Sequence, residues 1–370
     1  MELYVNKLFN GQEILIQQKI EIQNGLISKI ESCDDSHDFK AGILSPGLFD
    51  LQINGGGGVQ FNHKPNVETL IKIDQAMLGC GTTSWLATII TDDIEVMQKA
   101  ADAVSKLRAT GKTGICGIHF EGPHISDIKK GIHKKQFIRT ITEAEMELYS
   151  RTDLGIILVT LAPEAVTQQQ ISQLTKMGIC VSLGHSNATE EQCNRAINVG
   201  AKMFTHLFNA MSGFESRAPG MVGYALHHDS VPYSFIMDGI HVSKTAANIA
   251  FKCNPNMILV SDAMALSGSN ENQFNYFDEL ITKENNSLRD SQNRLAGSLM
   301  TLSDAVRNAS QILDIALIDA IKMATYMPAQ LLRLTHEIGT IQVGNPADFI
   351  LWGEDNHMLE IWKSGRQVCD

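Results

Sequence analysis

The sequence lacks the paired cysteines that mark a disulfide framework or a thiolate metal site. Its seven cysteines are odd in number and form no Cys-x-x-Cys pair, so we expect reduced, mostly buried thiols. It also lacks any apolar run near the roughly 18 residues that a membrane-spanning helix needs. The chain starts directly in strand-like sequence, without the basic and apolar segments of a signal peptide. These absences predict a cytoplasmic protein with no membrane partner.

The sequence also has few positively charged residues relative to negatively charged ones. Lys and Arg number 30 against 41 Asp and Glu, which gives a net charge of −11 with His neutral. A nucleic-acid binder or an anionic-membrane binder needs a large basic surface, so we expect neither partner. The balance still allows a small basic pocket for an anionic metabolite. With 370 residues, 44% of them hydrophobic, the chain is long enough to bury a large core.

Short alternating runs of apolar and polar residues occupy the two ends of the chain. At the N-terminal end they cover residues 4–9, 13–17, 19–23 and 26–31, with turns at Asn10-Gly11 and Asn24-Gly25. The same pattern returns in 339–353 and 359–368. We expect residues 1–45 and 338–370 to form a small β-sandwich together, because neither end alone makes a stable sheet.

Eight apolar runs alternate with helix-like stretches in the central segment. The runs cover 49–54, 82–90, 114–120, 155–162, 178–185, 201–208, 234–241 and 257–263, and the helix-like stretches include 68–79, 94–109, 164–177 and 189–199. This alternation predicts an α/β fold, a (β/α)8 TIM-type barrel over residues 46–337. A doubly wound open sheet is the alternative, but no GxGxxG follows the first strand. Residues 270–297 break the alternation of apolar runs and helix-like stretches. Their sequence predicts a polar hairpin inserted after the eighth strand.

Four candidate site residues lie at the ends of these runs. Glu121 follows the third run, His185 ends the fifth, His206 lies in the sixth and Asp262 lies in the eighth. Because the C-terminal ends of barrel strands converge on one mouth, we expect these side chains together. Two imidazoles and a carboxylate are a ligand set for catalytic zinc, and a further carboxylate suits the base that acts on water. The spacing alone leaves a metal site and a structural role equally open.

Short motifs run through the whole chain in a fixed order. They are SPGLFDLQINGGGGVQFN (45–62), GIHFEGPH (117–124), KKGIH (129–133), SLGHSNAT (182–189), THLFNAM (205–211), APGMVG (218–223), DGIHV (238–242), LVSDAM (259–264) and LAGSLMTL (295–302). Together they closely resemble the N-acetylglucosamine-6-phosphate deacetylases of the amidohydrolase superfamily, whose split β-sandwich the two chain ends also resemble. The resemblance implies a metal-dependent hydrolase of amino-sugar catabolism. It would convert N-acetyl-D-glucosamine 6-phosphate to D-glucosamine 6-phosphate and acetate.

The resemblance also implies roles for individual residues. Glu121, His185 and His206 match the metal ligands of that family, Asp262 its catalytic aspartate, and His133 the histidine that polarises the acetamide carbonyl. The matches to its sugar-phosphate site are Asn209, Ala210, Arg217 and His241. The resemblance further implies a homodimer in which one subunit contributes to the phosphate pocket of the other.

One departure from many amidohydrolases concerns the number of metal ions. Gln52-Ile53-Asn54 stands where those enzymes carry His-x-His at the end of the first barrel strand. Amide side chains are poor zinc ligands, so we expect one divalent ion per subunit. Zn²⁺ suits one Glu and two His ligands, and Fe²⁺, Co²⁺ and Mn²⁺ are also compatible with them.

Two alternative functions remain open on the sequence. The first is the same reaction on N-acetylgalactosamine 6-phosphate, which differs from the gluco epimer only at the 4-hydroxyl group. The second is a non-catalytic sugar-phosphate sensor on the same scaffold. The intact Asp262 argues against a sensor, because a sensor needs no base aimed at water. No single residue decides between the epimers.

Overall fold

Parallel strands form the centre of the protein in a computed structural model, which describes residues 1–34, 37–277, 279–285 and 287–368. Eight strands pair side by side in chain order. They are Leu48–Ile53, Thr82–Ile90, Ile115–Glu121, Ile156–Leu161, Cys180–Leu183, Met203–Phe204, Tyr233–Ile236 and Met257–Val260. Each of the eight predicted runs overlaps one of these strands, and the predicted α/β barrel is confirmed.

The sheet curls so that its first and eighth strands meet. Ile53 and Ala263 form a parallel bridge just beyond the eighth strand. The backbone N–H groups of Asn54 and Gly55 both donate to the Ala263 carbonyl oxygen, at 2.9 and 3.0 Å. These bonds place the C-terminal ends of the first and eighth strands next to each other, which matters for the site below.

Helices cover the outside of the barrel. The α-helices are Val67–Gly79, Ile94–Arg108, Glu143–Tyr149, Gln168–Lys176, Glu190–Asn198, Gly220–His227, Lys244–Cys253, Leu302–Leu313, Leu317–Met323 and Tyr326–Leu331. Several begin at clear sequence signals: the Thr189 hydroxyl accepts the N–H of Gln192, whose side chain accepts the N–H of Thr189. Because helices cover the sheet, all nine residues of Thr82–Ile90 are buried.

The two ends of the chain share a second sheet. Its seven strands lie in the order Arg366–Gln367, Met358–Lys363, Phe349–Trp352, Lys40–Pro46, Glu2–Phe9, Ile14–Gln23 and Leu26–Ser32. The runs 13–17 and 19–23 form one strand instead of two, because antiparallel pairing with Glu2–Phe9 continues across both. The domain boundaries after residues 45 and 337 stay a prediction.

The described residues within 270–297 form the expected hairpin with one additional strand. The strands Gln273–Tyr276, Glu279–Glu284 and Ser287–Arg289 make an antiparallel sheet. Tyr276 and Leu288 pack in one apolar cluster with Ile90 and Met264. Ile90 ends the second barrel strand, and Met264 lies four residues after the end of the eighth. The insertion therefore stands beside the mouth of the barrel.

The length and apolar character of the helices and the exposure of the cysteines are both given by the structure. Within the described ranges, no helix combines the length and apolar character needed to cross a bilayer. Cysteines 33, 80, 116, 180, 193 and 253 are free thiols, two of them buried, three half-buried and one exposed. Cys369 lies outside the described residues.

Candidate active site

The four residues predicted at the strand ends lie together at the barrel mouth. Glu121 is the last residue of the third strand, whereas His185, His206 and Asp262 each lie two positions beyond the end of their strand. The backbone φ angles of these three are 47°, 35° and 50°, so the chain turns sharply where each strand ends. Left-handed backbone is uncommon for residues with a side chain and is concentrated at functional sites.

Glu121, His185 and His206 form a compact buried cluster. Glu121 Oε1 lies 3.1 Å from His185 Nε2 and 3.0 Å from His206 Nε2. The two imidazole nitrogens are 3.1 Å apart. One carboxylate oxygen and two imidazole nitrogens therefore converge on one point, and this donor set fits a divalent metal ion.

A hydrogen bond decides which nitrogen of His185 faces the cluster. Its Nδ1 lies 3.0 Å from the carbonyl oxygen of Lys129. Because a carbonyl oxygen only accepts, the proton is on Nδ1, and the lone pair of Nε2 points into the cluster. Metal-binding histidines are commonly oriented in this way. The His206 backbone is fixed as well, since its N–H donates to Ser234 Oγ over 2.7 Å.

Asp262 lies beside the cluster and is held by two amide side chains. Asn54 Nδ2 and Gln52 Nε2 both donate to Asp262 Oδ1, over 2.7 and 3.0 Å. Burial raises the pKa of Asp262 to about 7, and the charge of Glu121 acts in the same direction, while the hydrogen bond from Asn54 opposes both. A carboxyl group with a pKa near the working pH can both accept and return a proton.

His133 borders the same cavity from the loop after the third strand. Its Nδ1 lies 2.7 Å from Thr91 Oγ1, and its ring centroid is 4.3 Å from that of His185. Burial holds the pKa of His133 well below its usual value, so the imidazole is neutral at pH 7. Thr91 has a single hydroxyl proton, and its Oγ1 also lies 3.3 Å from the Glu121 carbonyl oxygen. When the proton is given to the nearer acceptor, His133 Nδ1, the ring proton is on Nε2. That N–H is then available as a donor to a bound ligand.

A cavity of about 200 Å³ adjoins these groups. Asn209, Ala210 and His241 line it together with Asp262 and His133. The metal-type cluster, which consists of Glu121, His185 and His206, lines it as well. His241 Nδ1 lies 2.6 Å from Asp238 Oδ2. Although burial opposes the charged form, this carboxylate raises the pKa of His241. Arg217 is exposed and does not line the cavity, so the structure brings together every predicted site residue except Arg217.

Several residues that shape the site had no predicted role. Thr91 bonds to His133, and Asp238 bonds to His241 and accepts its backbone N–H at 2.8 Å. The spacing of Asp238 and His241 in the DGIHV motif was a visible signal, because residues three apart in a tight turn can bond. Thr91 and the Lys129 carbonyl gave no signal, since only the tertiary fold brings them to the site.

The barrel segment also matches a known protein family. Residues 43–368 fit the sequence profile of the Amidohydrolase family. The chain belongs to the amidohydrolase family. An N-acetylgalactosamine-6-phosphate deacetylase of Shewanella sp. (strain ANA-3) is 44% identical over 356 residues, which cover 94% of this chain and 90% of that protein. An N-acetylglucosamine-6-phosphate deacetylase of Bos taurus is 34% identical, covering 97% and 90%.

Solved structures agree with this membership. The crystal structure of N-acetylglucosamine-6-phosphate deacetylase from Pasteurella multocida superimposes with a TM-score of 0.93 at 32% identity, covering 100% of both chains. As an amidohydrolase the protein is a metal-dependent hydrolase, and Glu121, His185 and His206 are its candidate metal site. The relatives are named as enzymes, which argues against the sensor that the sequence left open.

Proposed function

We propose that this amidohydrolase removes the acetyl group from N-acetyl-D-glucosamine 6-phosphate in amino-sugar catabolism. The observation that carries the proposal is the position of Asp262, whose carboxylate lies beside the metal-type cluster on the wall of the cavity. The names of the relatives support the substrate class, an acetylated amino-sugar phosphate. Charged sugar phosphates do not cross membranes unaided, so we place the reaction in the cytoplasm.

Turnover of N-acetyl-D-glucosamine 6-phosphate by purified, metal-loaded protein tests this proposal. We expect acetate and primary amine to appear in equal amounts, with a kcat in the ordinary range of roughly 1–10³ s⁻¹. Treatment with a chelator should stop the reaction, and a divalent metal should restore it. A substrate left intact by fully metal-loaded, folded protein would contradict the proposal.

Side chains of this chain divide the work of breaking the amide bond. Asp262 accepts a proton as water attacks the acetyl carbon, and it donates that proton to the nitrogen as the C–N bond breaks. His133 donates from Nε2 to the carbonyl oxygen, where negative charge develops. A divalent ion held by Glu121, His185 and His206 would supply Lewis-acid polarisation. A base of this kind contributes about 10²–10⁴-fold in rate, and one oxyanion donor about 10²–10³-fold.

We further propose that each subunit binds one ion, Zn²⁺. Gln52 and Asn54 stand where a two-metal relative has imidazoles, and both carboxamides are engaged with Asp262. Titrating Zn²⁺ into metal-free protein should therefore restore full activity at one equivalent, with one tight site by calorimetry. Activity that continues to rise up to two equivalents would contradict the prediction. Fe²⁺, Co²⁺ and Mn²⁺, assayed in parallel, show which ion supports the highest rate.

The phosphate group needs positive charge, and within the part of the chain that the structure describes, the cavity of a single chain offers only histidine side chains for it. None of the described residues that line the cavity is Lys or Arg. The Asp238 carboxylate raises the pKa of His241, although burial opposes this, and Asn209 and Ala210 line the same cavity. Arg217 is exposed in the loop that also exposes Phe214 by 68%. An arginine beside an exposed aromatic ring is typical of a subunit interface. We propose a homodimer in which Arg217 reaches the phosphate of the neighbouring subunit.

Replacing Arg217 with Ala should raise the KM for the phosphorylated sugar by about 10- to 100-fold, because a charge-assisted contact to phosphate is lost. The KM for unphosphorylated N-acetylglucosamine should change little. Arg195→Ala is the matched control, since Arg195 is also partly exposed and forms its ion pair, within the described residues, with Glu191 on its own helix. An equal loss on both sugars would mean that Arg217 acts structurally.

Mixing Arg217→Ala protein with Asp262→Asn protein tests whether the pocket is shared. If Arg217 serves the neighbouring subunit, each mixed dimer contains one site with both native residues. We then expect activity to reappear after subunit exchange. No recovery, with exchange verified by mass spectrometry, would place the phosphate site within one chain.

N-acetyl-D-galactosamine 6-phosphate is a second candidate substrate. The specific observation in its favour is the 44% identity to the Shewanella protein named for that sugar, against 32% and 34% for relatives named for the gluco sugar. The wrong epimer leaves a hydrogen bond to the 4-hydroxyl unmade, so we expect kcat/KM to differ by about tenfold or more. Side-by-side turnover of both 6-phosphates by the same preparation decides between them.

A further inference from the structure

Three side chains meet where the first and eighth barrel strands join. The carboxamides of Gln52 and Asn54 donate to the same oxygen, Asp262 Oδ1, over 3.0 and 2.7 Å. Gln52 Nε2 also donates to Glu121 Oε1 over 3.0 Å, so both of its N–H bonds are used. Asp262 Oδ2 has no hydrogen-bond partner among the described residues. One oxygen of the carboxylate is therefore held firmly, and the other is free to accept a proton.

An unpartnered amide oxygen lies beside this carboxylate. Asn54 is 1% exposed and lines the cavity, and its Oδ1 has no hydrogen-bond partner in the described part of the chain. The reverse orientation of the amide would set its oxygen against Asp262 Oδ1, so the contact of Nδ2 with the carboxylate decides the assignment. A buried acceptor without a donor is costly and calls for an explanation.

The backbone that bears these amides is fixed from both sides. The Asn54 N–H donates to the carbonyl oxygen of Ala263 over 2.9 Å. Ala263 is the residue that directly follows Asp262 in the chain. The Gln52 N–H donates to the fully buried Asp50 carboxylate over 3.0 Å. The relative positions of the two amides and of the carboxylate are thus set by main-chain bonds, which is the rigidity that a catalytic arrangement needs.

We propose that Gln52 and Asn54 orient Asp262 and that Asn54 Oδ1 receives a hydrogen bond from the attacking water. This inference rests on the deacetylase function proposed above. Water has two O–H bonds. The proton of one passes to Asp262 Oδ2 as the oxygen bonds to the acetyl carbon. The other proton stays on the oxygen and points to Asn54 Oδ1.

Because one water proton points to Asp262 Oδ2 and the other to Asn54 Oδ1, a lone pair of the water faces the carbonyl carbon. Gln52 acts in this scheme as a positioning residue, through its bonds to Asp262 and Glu121. Asn54 both holds the base and contacts the reacting water. An acidic residue at position 54 would repel the Asp262 carboxylate, which accounts for an amide at this position.

Asn54→Leu removes the donor and the acceptor while keeping the branched shape and the number of side-chain heavy atoms. We expect kcat to fall about 10- to 100-fold, with the KM for the sugar phosphate and the metal content both nearly unchanged. Asn54→Asp is the second variant, because it keeps the size and the acceptor but loses the donor, and we expect it to lose kcat as well. Gln52→Met should lower kcat through the same loss of support for Asp262.

Asn254→Leu is the matched control for loss of a buried carboxamide. Asn254 is fully buried, and its Nδ2 donates to the carbonyl oxygens of Ala225, His228 and Val231 instead of to a site residue. This variant should melt at a lower temperature but keep the kcat of the native enzyme per folded molecule. A crystal structure of Asn54→Leu should show the Asp262 carboxylate turned from its native position.

The inference is overturned if Asn54→Leu and Asn54→Asp, folded and metal-loaded, keep native kcat. It is also overturned if their loss of kcat only follows the loss of folded protein, as in the Asn254 control. Failure of the native enzyme itself to release acetate would instead count against the proposed function, so the two results are distinguishable.

Discussion

Asp262→Asn should lower kcat by about 10²–10⁴-fold while leaving the fold and the metal content nearly intact. The structure explains why this substitution should affect catalysis but not the fold or the metal content. The amide oxygen introduced by the substitution can still accept the hydrogen bonds that Gln52 and Asn54 give to Oδ1, so the network at the strand junction survives. The group that replaces Oδ2 is an N–H donor, however, and it cannot accept a proton from water.

Stability should be preserved or improved by the same substitution. Asp262 is half-buried beside Glu121, and both desolvation and the Glu121 charge oppose its ionised form. A neutral amide avoids that repulsion. The measurements are kcat at saturating substrate, metal content by elemental analysis, and thermal unfolding of the same preparation. Near-native turnover by a fully metal-loaded variant would remove Asp262 from the role of base.

The barrel could be predicted because its strands are buried on both faces. Runs such as 155–162 and 178–185 are continuously apolar, and the helices between them start at polar caps, as at Thr189. The direction of the strands then places Glu121, His185 and the other strand-end residues at one mouth. Periodicity and chain direction were therefore enough to propose which side chains meet.

The finer geometry depends on contacts between residues far apart in the chain. That Gln52 and Asn54 differ from His-x-His was visible in the sequence, but their bonds to Asp262 cross the junction of the first and eighth strands. Local propensity also cannot predict the positive φ of His206, which the surrounding fold imposes. Arg217 is a further case, since the group that it is proposed to bind lies on another subunit.

Replacing any one of Glu121, His185 and His206 with Ala should remove metal and activity together. Each contributes one atom to the cluster, and losing one of three ligands leaves two to hold the ion against water. Removing even a group that is hydrogen-bonded to a ligand typically costs roughly 10- to 100-fold in metal affinity or activity, so loss of a ligand should cost more. Metal per subunit, measured after gel filtration, is the primary readout.

His119→Gln is the matched control for these variants. His119 is a buried imidazole on the same strand as Glu121, but its Nε2 bonds to Thr160 Oγ1 over 2.8 Å and it contributes no atom to the cluster. If the cluster binds the ion, this variant should keep one ion per subunit although it also replaces a buried histidine. Metal loss in His119→Gln equal to that in His206→Ala would show that the barrel interior, and not the ligand set, determines occupancy. Full occupancy in any ligand variant would exclude that residue from the site.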